Sequence, residues 1–575
     1  MRTSSLLSLA WTLALLASSS SLVSADVVEY TWEVANVTMQ RLCEETEIAA
    51  VNGMLPGPTI NVREGDTVIV HAVNKSPYNL TIHWHGILQL MSQWADGPEF
   101  VTQCAILPGR NYTYRFNVTQ QEGTLWWHAH SSFLRAWVYG ALIIRPRLGN
   151  SYPFPTPHQE VPIVLGEWWN ANVIEVEEEA VEFGGAPNIS DAFTINGLPG
   201  ALYNCSQNQT FRFEVQQGNT YLLRIINAAL NEHLFFKIAS HTFTVVAVDA
   251  AYTNHYHTDI IVVAPGQTVD ALLTANQTVG SYFMAATPYS TLNESVTPVA
   301  DTTTVGIVVY NGSTSTTPLM PILPVRNDTQ TANNFYLSIT GLAGGPHWVP
   351  VPEDVNEHMF ITVGLALDFC NLPNDTCRGP AGLRLSSSMN NESFVLPSGR
   401  GLSMLDAFYR NATTGVYTKD FPDNPPLVFD YTDPSLNNNL SLAFAPKSTK
   451  VKTLRFNSTV QIVFQNTAIL AAENHPMHIH GFNFHVLAQG TGNYNASRDE
   501  SQFNLVDPQI RNTVAVPFAG WSVVRFQANN PGIWLVHCHI DNHLSWGLTM
   551  AFEVENGPTP ETTLPPPPAD LPTQC

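Results

Sequence analysis

The chain has 575 residues, 44% hydrophobic and only 13% charged, enough apolar material for several packed domains. With 47 acidic against 25 basic residues, its net charge of −22 argues against nucleic acid or an anionic membrane as partner. At the N-terminus, Arg2, the apolar run LLSLAWTLALLA (6–17) and the small-residue VSA (23–25) predict a secretory leader, residues 1–25, cleaved after Ala25. No later run reaches the ~20 apolar residues of a spanning helix, and the polar tail PPPPADLPTQC carries no lipid-anchor signal. Roughly eighteen Asn-x-Ser/Thr sequons, among them Asn36, Asn79, Asn111, Asn188, Asn276 and Asn495, predict N-linked glycans on a soluble secreted protein.

Beyond the leader the pattern is strand. Short runs rich in Val, Ile, Thr, Tyr and Phe alternate with Gly, Pro and Asn turns, and long amphipathic helical patterns are scarce. One frame recurs three times. INVREGDTVIVHAVN (60–74) aligns with FRFEVQQGNTYLLRIINA (211–228) and LRFNSTVQIVFQNTA (454–468). LPGRNYTYRF (107–116), APGQTVDALL (264–273) and PFAGWSVVRF (517–526) follow, then GTLWWHAHS (123–131), GSYFMAAT (280–287) and GIWLVHCHI (532–540). The repeat predicts an all-β chain of three related β-sandwich domains, 26–150, 151–325 and 326–575. The Pro-rich stretches 145–162 and 311–329 are read as linkers, and a segment of about 330 to 450 as an extension before the third frame begins.

Ten of the nineteen histidines fall in four clusters: HWH (His83, His85), HAH (His128, His130), HPMHIH (His475, His478, His480) and HCHIDNH (His537, His539, His543). The first and third copies of the frame carry two clusters each, and the middle copy none. A metal site shared by domains one and three follows, with domain two as spacer. In a strand, positions i and i+2 share a face roughly 6.6 Å apart, so the imidazoles of one pair reach different metals of one cluster. Cys538 points to the opposite face from His537 and His539, and so belongs to a second site with His543 and His475. One thiolate with two imidazoles is the trigonal set of a blue electron-transfer copper, whereas zinc more often adds a fourth firm ligand. His255 and His257 are read as an ordinary surface loop, and His71, His233, His241 and His485 as structural.

These clusters resemble the copper motifs of multicopper oxidases over essentially the whole mature chain. Within that family, HWHGILQLMSQWADGP (83–98), GTLWWHAHSSFLRAWVYGALII (123–144), GEWWNA (166–171), NHPMHIHGFNFHVLAQGTGNY (474–494) and FNLVDPQIRNTVAVP (503–517) are similar to plant-type laccases. The resemblance implies cupredoxin-like Greek-key β-barrels and four copper ions. His475, Cys538 and His543 would hold type 1 copper, with Leu548 at the axial position as a non-ligand, and His83 and His478 type 2. His85, His128 and His539 would hold one type 3 copper, and His130, His480 and His537 the other. Asp96 and Asp541 match the family's proton-supplying acids, and the substrate pocket is expected beside His543. The implied disulfides are Cys43–Cys205 and Cys104–Cys575, leaving Cys370 and Cys377 for a local loop; sequence alone allows fifteen connectivities for six cysteines.

The activity the resemblance implies is one-electron oxidation of small phenols, lignin precursors and related compounds, coupled to reduction of dioxygen to water by a monomer in the cell wall or apoplast. Ascorbate oxidase is the nearest alternative, against which Leu548 counts. A metal-ion oxidase would want acidic groups beside the type 1 histidines. A non-catalytic cell-wall protein on the same fold would have no need of the full ligand set.

Overall fold

The computed structural model describes residues 25–292, 299–373, 377–436, 439–471 and 473–575, so the leader expected at 1–25 lies, Ala25 apart, outside the described residues. No described helix is long and apolar enough to cross a membrane. The period-2 pattern becomes strand as expected: along Asn111–Asn117, Tyr112, Tyr114 and Phe116 turn inward while Asn111, Arg115 and Asn117 face out. Strand Ser458–Asn466 is buried along its whole length, because protein covers both of its faces.

Three pairs of sheets result. The first has four strands in each sheet, within residues 27–145; the second and third each have six and five, within 159–310 and 357–554. Each copy opens with a strand parallel to the first long strand of its frame. Val27–Arg41 lies beside Thr67–Asn74, Gln159–Trp168 beside Thr220–Asn227, and Glu357–Asp368 beside Ser458–Asn466. The architecture is all-β, three cupredoxin-like sandwiches, each around its own apolar core.

Three readings need correction. The stretch 330–450 is not simply an extension before the frame, since it contains Glu357–Asp368, the opening strand of the third copy, and Arg384–Met389 paired to its edge. What is added is the loop material between them and Ser458. His255 and His257 lie on strand Ala251–Thr258 rather than in a loop; both are exposed, and His257 Nδ1 is 2.9 Å from Thr244 Oγ1. Helix Val173–Phe183 was also not anticipated. Asn172 caps it by accepting from the Ile174 N–H at 3.0 Å, left-handed Gly184 ends it, and Val173, Val176 and Ala180 form its buried stripe.

Disulfides Cys43–Cys205, Cys104–Cys575 and Cys370–Cys377 are formed, and Cys538 is the one free cysteine among the described residues. The first ties domain one to domain two, and the second ties the C-terminal tail to domain one. The tail also accepts a bond from Trp94 at Pro565 O, 2.8 Å, on the short helical turn preceding Asp96.

Candidate metal centre

Strand register brings the histidines together. Ile82–His85 pairs antiparallel with Gly123–Ala129 so that His83 stands opposite His128, and His475–Ile479 pairs with Gly532–Cys538 so that His478 stands opposite His537. Directly opposed residues share a face, so each of the two domains presents a patch of imidazoles. The patches interlock: ring centroids of His83 and His480 are 4.0 Å apart, and those of His85 and His478 3.9 Å and stacked. His537 and His539, from one strand, part as the i, i+2 argument requires. His537 Nε2 lies 3.1 Å from His480 Nε2, and His539 Nε2 3.1 Å from His85 Nδ1.

Among the described residues, four groups place one ligand atom per residue within 4.8 Å of one another: His475/Cys538/His543, His130/His480/His537, His83/His85/His128 and His83/His478/His480. The first two are the sets expected from sequence. In the third, His83 stands where His539 was expected, while His539 contacts His85 and brings its ring to 5.4 Å from that of His128. In the fourth, His480 joins the expected His83 and His478. On the far face of the strand, His475 Nδ1 is 3.7 Å and His543 Nδ1 3.4 Å from Cys538 Sγ. The cysteine thus sits behind the cluster.

The donor set fits a soft-to-borderline metal. Nε2 of His83, His128 and His478 is buried without a hydrogen-bond partner, and in two pairs ring nitrogens face each other 3.1 Å apart. The opposite nitrogens are held: His83 Nδ1 to Asp96 O at 2.7 Å, His128 Nδ1 to Ala129 O at 2.8 Å, His478 Nδ1 to Asn512 O at 2.8 Å and His537 Nδ1 to Cys538 O at 2.9 Å. Such bonds fix which nitrogen faces the ion. Burial, and then mutual repulsion between imidazoles, pushes His85, His478 and His480 well below the ordinary histidine range, so their lone pairs are free. His543 goes the other way. Burial lowers it, but Glu473 at 2.9 Å from Nε2 and the Cys538 sulfur outweigh that and push it up to about 10. This second site is built to hold positive charge.

Asp96 is wholly buried between the domains, its Oδ2 3.0 Å from His480 Nδ1 and its Oδ1 3.3 Å from His83 Nδ1. Gly97 makes this turn possible: at φ +100° a Cβ would meet Ile82 O at 1.9 Å. Asp541 opens helix Asp541–Trp546, with Oδ1 3.5 Å from Arg135; burial outweighs the arginine and pushes its carboxyl up to about 7. Leu548 is buried opposite Cys538, whose N–H donates to Leu548 O at 3.0 Å; Met550 pairs with Val536, one step further along the same face.

Four contributors were missed in the sequence. Arg135 Nη1 sits 2.9 Å from His539 Nδ1, and Thr513 Oγ1 lies 3.1 Å from both His85 Nε2 and His478 Nδ1. Glu473 meets His543, and Gly266 of the middle domain approaches so closely that a Cβ there would stand 2.9 Å from the His539 ring and 3.1 Å from that of His85. Domain two is therefore a wall of the cluster and more than a spacer. Arg135 had a signal, a lone charge inside the apolar run FLRAWVYGALII.

Residues 33–149, 159–313 and 420–558 each match a family model described as multicopper oxidase. The chain belongs to the multicopper oxidase family. Among curated relatives of this oxidase, Laccase-7 of Arabidopsis thaliana is 58% identical over 559 residues, covering 96% of this chain and 97% of the relative. Laccase-24 of Oryza sativa subsp. japonica is 56% identical over 587 aligned positions, covering all of both. The crystal structure of the laccase from Botrytis aclada superposes with a TM-score of 0.71 at 26% identity, covering 94% of this chain and 89% of that one. The oxidase is of the plant laccase type, and its cofactor is copper, four ions of types 1, 2 and 3.

Proposed function

We propose that this oxidase takes single electrons from small phenols, lignin precursors among them, beside the Cys538 site and delivers them to dioxygen at the histidine cluster. The observation that carries this reading is one stretch of backbone. Strand Gly532–Cys538 and the residue after it present Cys538 to His475 and His543 on one face, and His537 and His539 to the cluster on the other. Bound there, copper supplies one-electron transfer at the thiolate set and four-electron reduction of dioxygen to water at the histidine set.

His475, Cys538 and His543 are assigned to type 1, with Leu548 facing it as a non-ligand, and His83 and His478 to type 2. His85, His128 and His539, and His130, His480 and His537, are assigned to the type 3 pair. Asp96 orients His83 and His480 and stands where a proton can be handed inward, while Arg135 holds His539 and Asp541 in place. Leu548 offers no lone pair, which favours the reduced ion, suits phenols that give up electrons reluctantly, and disfavours the ascorbate oxidase reading. One observation favours metal-ion oxidation as a second reading: Glu473 lies against His543, with buried Glu232 near it.

We further place the protein outside the cell as a glycosylated monomer. The leader-like pattern at 1–25, the three disulfides and the exposed sequon residues Asn79, Asn111, Asn188, Asn276 and Asn495 support secretion and glycosylation; Asn36 is partly covered and bonds Glu47. The test is turnover by the purified, copper-loaded protein of a phenol panel, ascorbate, ferrous iron and manganous ion, read as dioxygen uptake. Phenols should lead. Faster oxidation of ferrous iron than of any phenol would overturn the assignment in favour of the Glu473 reading.

A further inference from the structure

A cavity of about 430 Å³ joins the surface to the histidine cluster. His128 and His130 line its inner end, and exposed Val181, Leu396 and Ser398 its rim. Three carboxylates border it: Asp541, Glu99 from the turn after WADGP, and Glu177 from helix Val173–Phe183. Arg135, Arg384 and Lys447 are the cationic groups that face them. Asp541 Oδ2 is buried without a hydrogen-bond partner. Glu177 accepts from Ser132 Oγ, from the Phe133 N–H at 3.0 Å and from Ser545 Oγ at 2.6 Å. Ser132 follows the HAH motif and Ser545 the HCHIDNH motif, so Glu177 spans the mouth between domains one and three. Glu99 is half-buried in the cavity wall. Burial and then Glu177 raise its carboxyl, against the hydroxyl of Ser131, which adjoins His130 and lies 3.1 Å from Thr81 Oγ1.

The reaction sets the demand. Four phenols release four electrons and four protons, and one dioxygen takes up four of each to give two waters. The two events are separated, because phenols react beside Cys538 and dioxygen at a cluster whose His83, His85 and His478 are 0–1% exposed. Protons must therefore enter the cluster by a route of their own. Asp96 is not part of the lining of this cavity. We propose that Glu177 and Glu99, with Ser131, Ser132 and Ser545, are the proton entry of the oxygen-reducing cluster, collecting protons at the cavity mouth and passing them inward along the cavity toward its His128 and His130 end. Each carboxylate gains a proton from the solvent side and loses one to the cluster side, and is unchanged after each transfer. Glu177 works at the mouth as antenna and loop anchor, and Glu99 as the relay.

The inference rests on the laccase reading, and its test separates the two. Glu99→Gln and Glu177→Gln keep size and hydrogen bonding but cannot carry an exchangeable acid proton. In stopped flow, dioxygen-dependent reoxidation should slow about tenfold or more, within the range for a lost acid–base group. The solvent isotope effect should increase and reduction by phenol should be unaltered, while Glu99→Asp restores the rate and exposed Glu178→Gln changes nothing. In the copper-free protein, the infrared band of protonated carboxyls, followed against pH, should persist above the ordinary glutamate range and lose amplitude in Glu99→Gln. An undiminished band in Glu99→Gln, unaltered reoxidation with an unaltered isotope effect, or equal slowing of both half-reactions each overturns the proposal. Absence of dioxygen uptake by the unmodified protein sinks the laccase reading, and this inference with it; normal uptake with unaffected variants sinks this inference alone.

Discussion

Cys538 is the residue on which the electron path turns. It is fully buried, lies within 3.7 Å of the ring nitrogens of both His475 and His543, and is flanked in sequence by two histidines of the other site. Serine keeps the shape but loses the soft thiolate, so Cys538→Ser should abolish the intense visible colour and phenol oxidation together; a visible spectrum like that of the parent would refute the ligand assignment. Leu548, opposite it, tunes the site without binding. Methionine matches leucine in volume and brings a weak sulfur donor, so Leu548→Met should lower the type 1 potential and weaken phenol oxidation with little change of colour. Each 59 mV of that fall is tenfold in a one-electron equilibrium. Redox titration reads it directly, and a potential unchanged or raised would mean that Leu548 is not the axial residue.

At the scale of elements, the two domains that carry ligands are not sufficient. The loop between strands Ile261–Val263 and Thr268–Thr274 of the middle domain enters the cluster at Gly266, where φ is +90° and a Cβ would stand 2.9 Å from the His539 ring and 3.1 Å from that of His85. Gly266→Ala should cost about 1–3 kcal/mol of backbone strain and push both rings aside. The expected result is loss of copper from the histidine cluster with the blue site retained, measured as copper per chain against visible absorbance. Gly53→Ala is the control, having φ +73° with nothing within 4 Å of its Cβ; equal copper loss in both variants would reduce the effect to strain. This loop also marks where sequence reasoning stopped. The ligands were legible because i, i+2 spacing is local, and packing alone does not set four histidine pairs on strands in matching places of a repeat. Gly266, Thr513 and Arg135 act across domain boundaries, on rings in other parts of the chain, and of the three only Arg135, a lone charge in an apolar run, stands out in its own neighbourhood. Strand Glu357–Asp368 was missed for a similar reason: its parallel partner Ser458–Asn466 lies far along the chain, and the intervening loops hid the repeat.

Over the whole molecule, the histidine cluster ties stability and copper binding to pH. Burial first, then neighbouring charges, lowers the folded-state pKa of His85, His128, His130, His478, His480 and His539, and brings that of His537 to about 3. Unfolded, each titrates near 6.5. Below that pH the unfolded chain binds more protons than the folded one, so their contribution to stability is present above 6.5 and is lost as pH falls toward the depressed values. A single such histidine contributes up to about 1.4 kcal/mol per pH unit. Glu167, Glu232, Asp249 and Asp270, raised chiefly by burial, act with the opposite sign, their contribution disappearing as pH rises through the raised values. None of these acids is in a ligand group, so a comparison of copper-free with copper-loaded protein at each pH cancels them. Copper binds the folded chain and raises its melting temperature by mass action. As pH falls from 7 toward 5 the histidines whose pKa is lowered resist protonation in the folded chain, so protons compete less with copper for their nitrogens than for a free imidazole. The second site differs, because His543, held up near 10, must give up a proton to the ion. Cys538→Ser, which confines copper to the cluster, removes that complication. In this variant both forms should melt lower at pH 5 than at pH 7 to the extent that the histidines outweigh the acids, while the gap between them holds or widens. Calorimetry at the two pH values reads the gap; a gap that closes toward pH 5 would mean that the cluster histidines take up protons in the folded chain and do not gather as neutral, buried ligands.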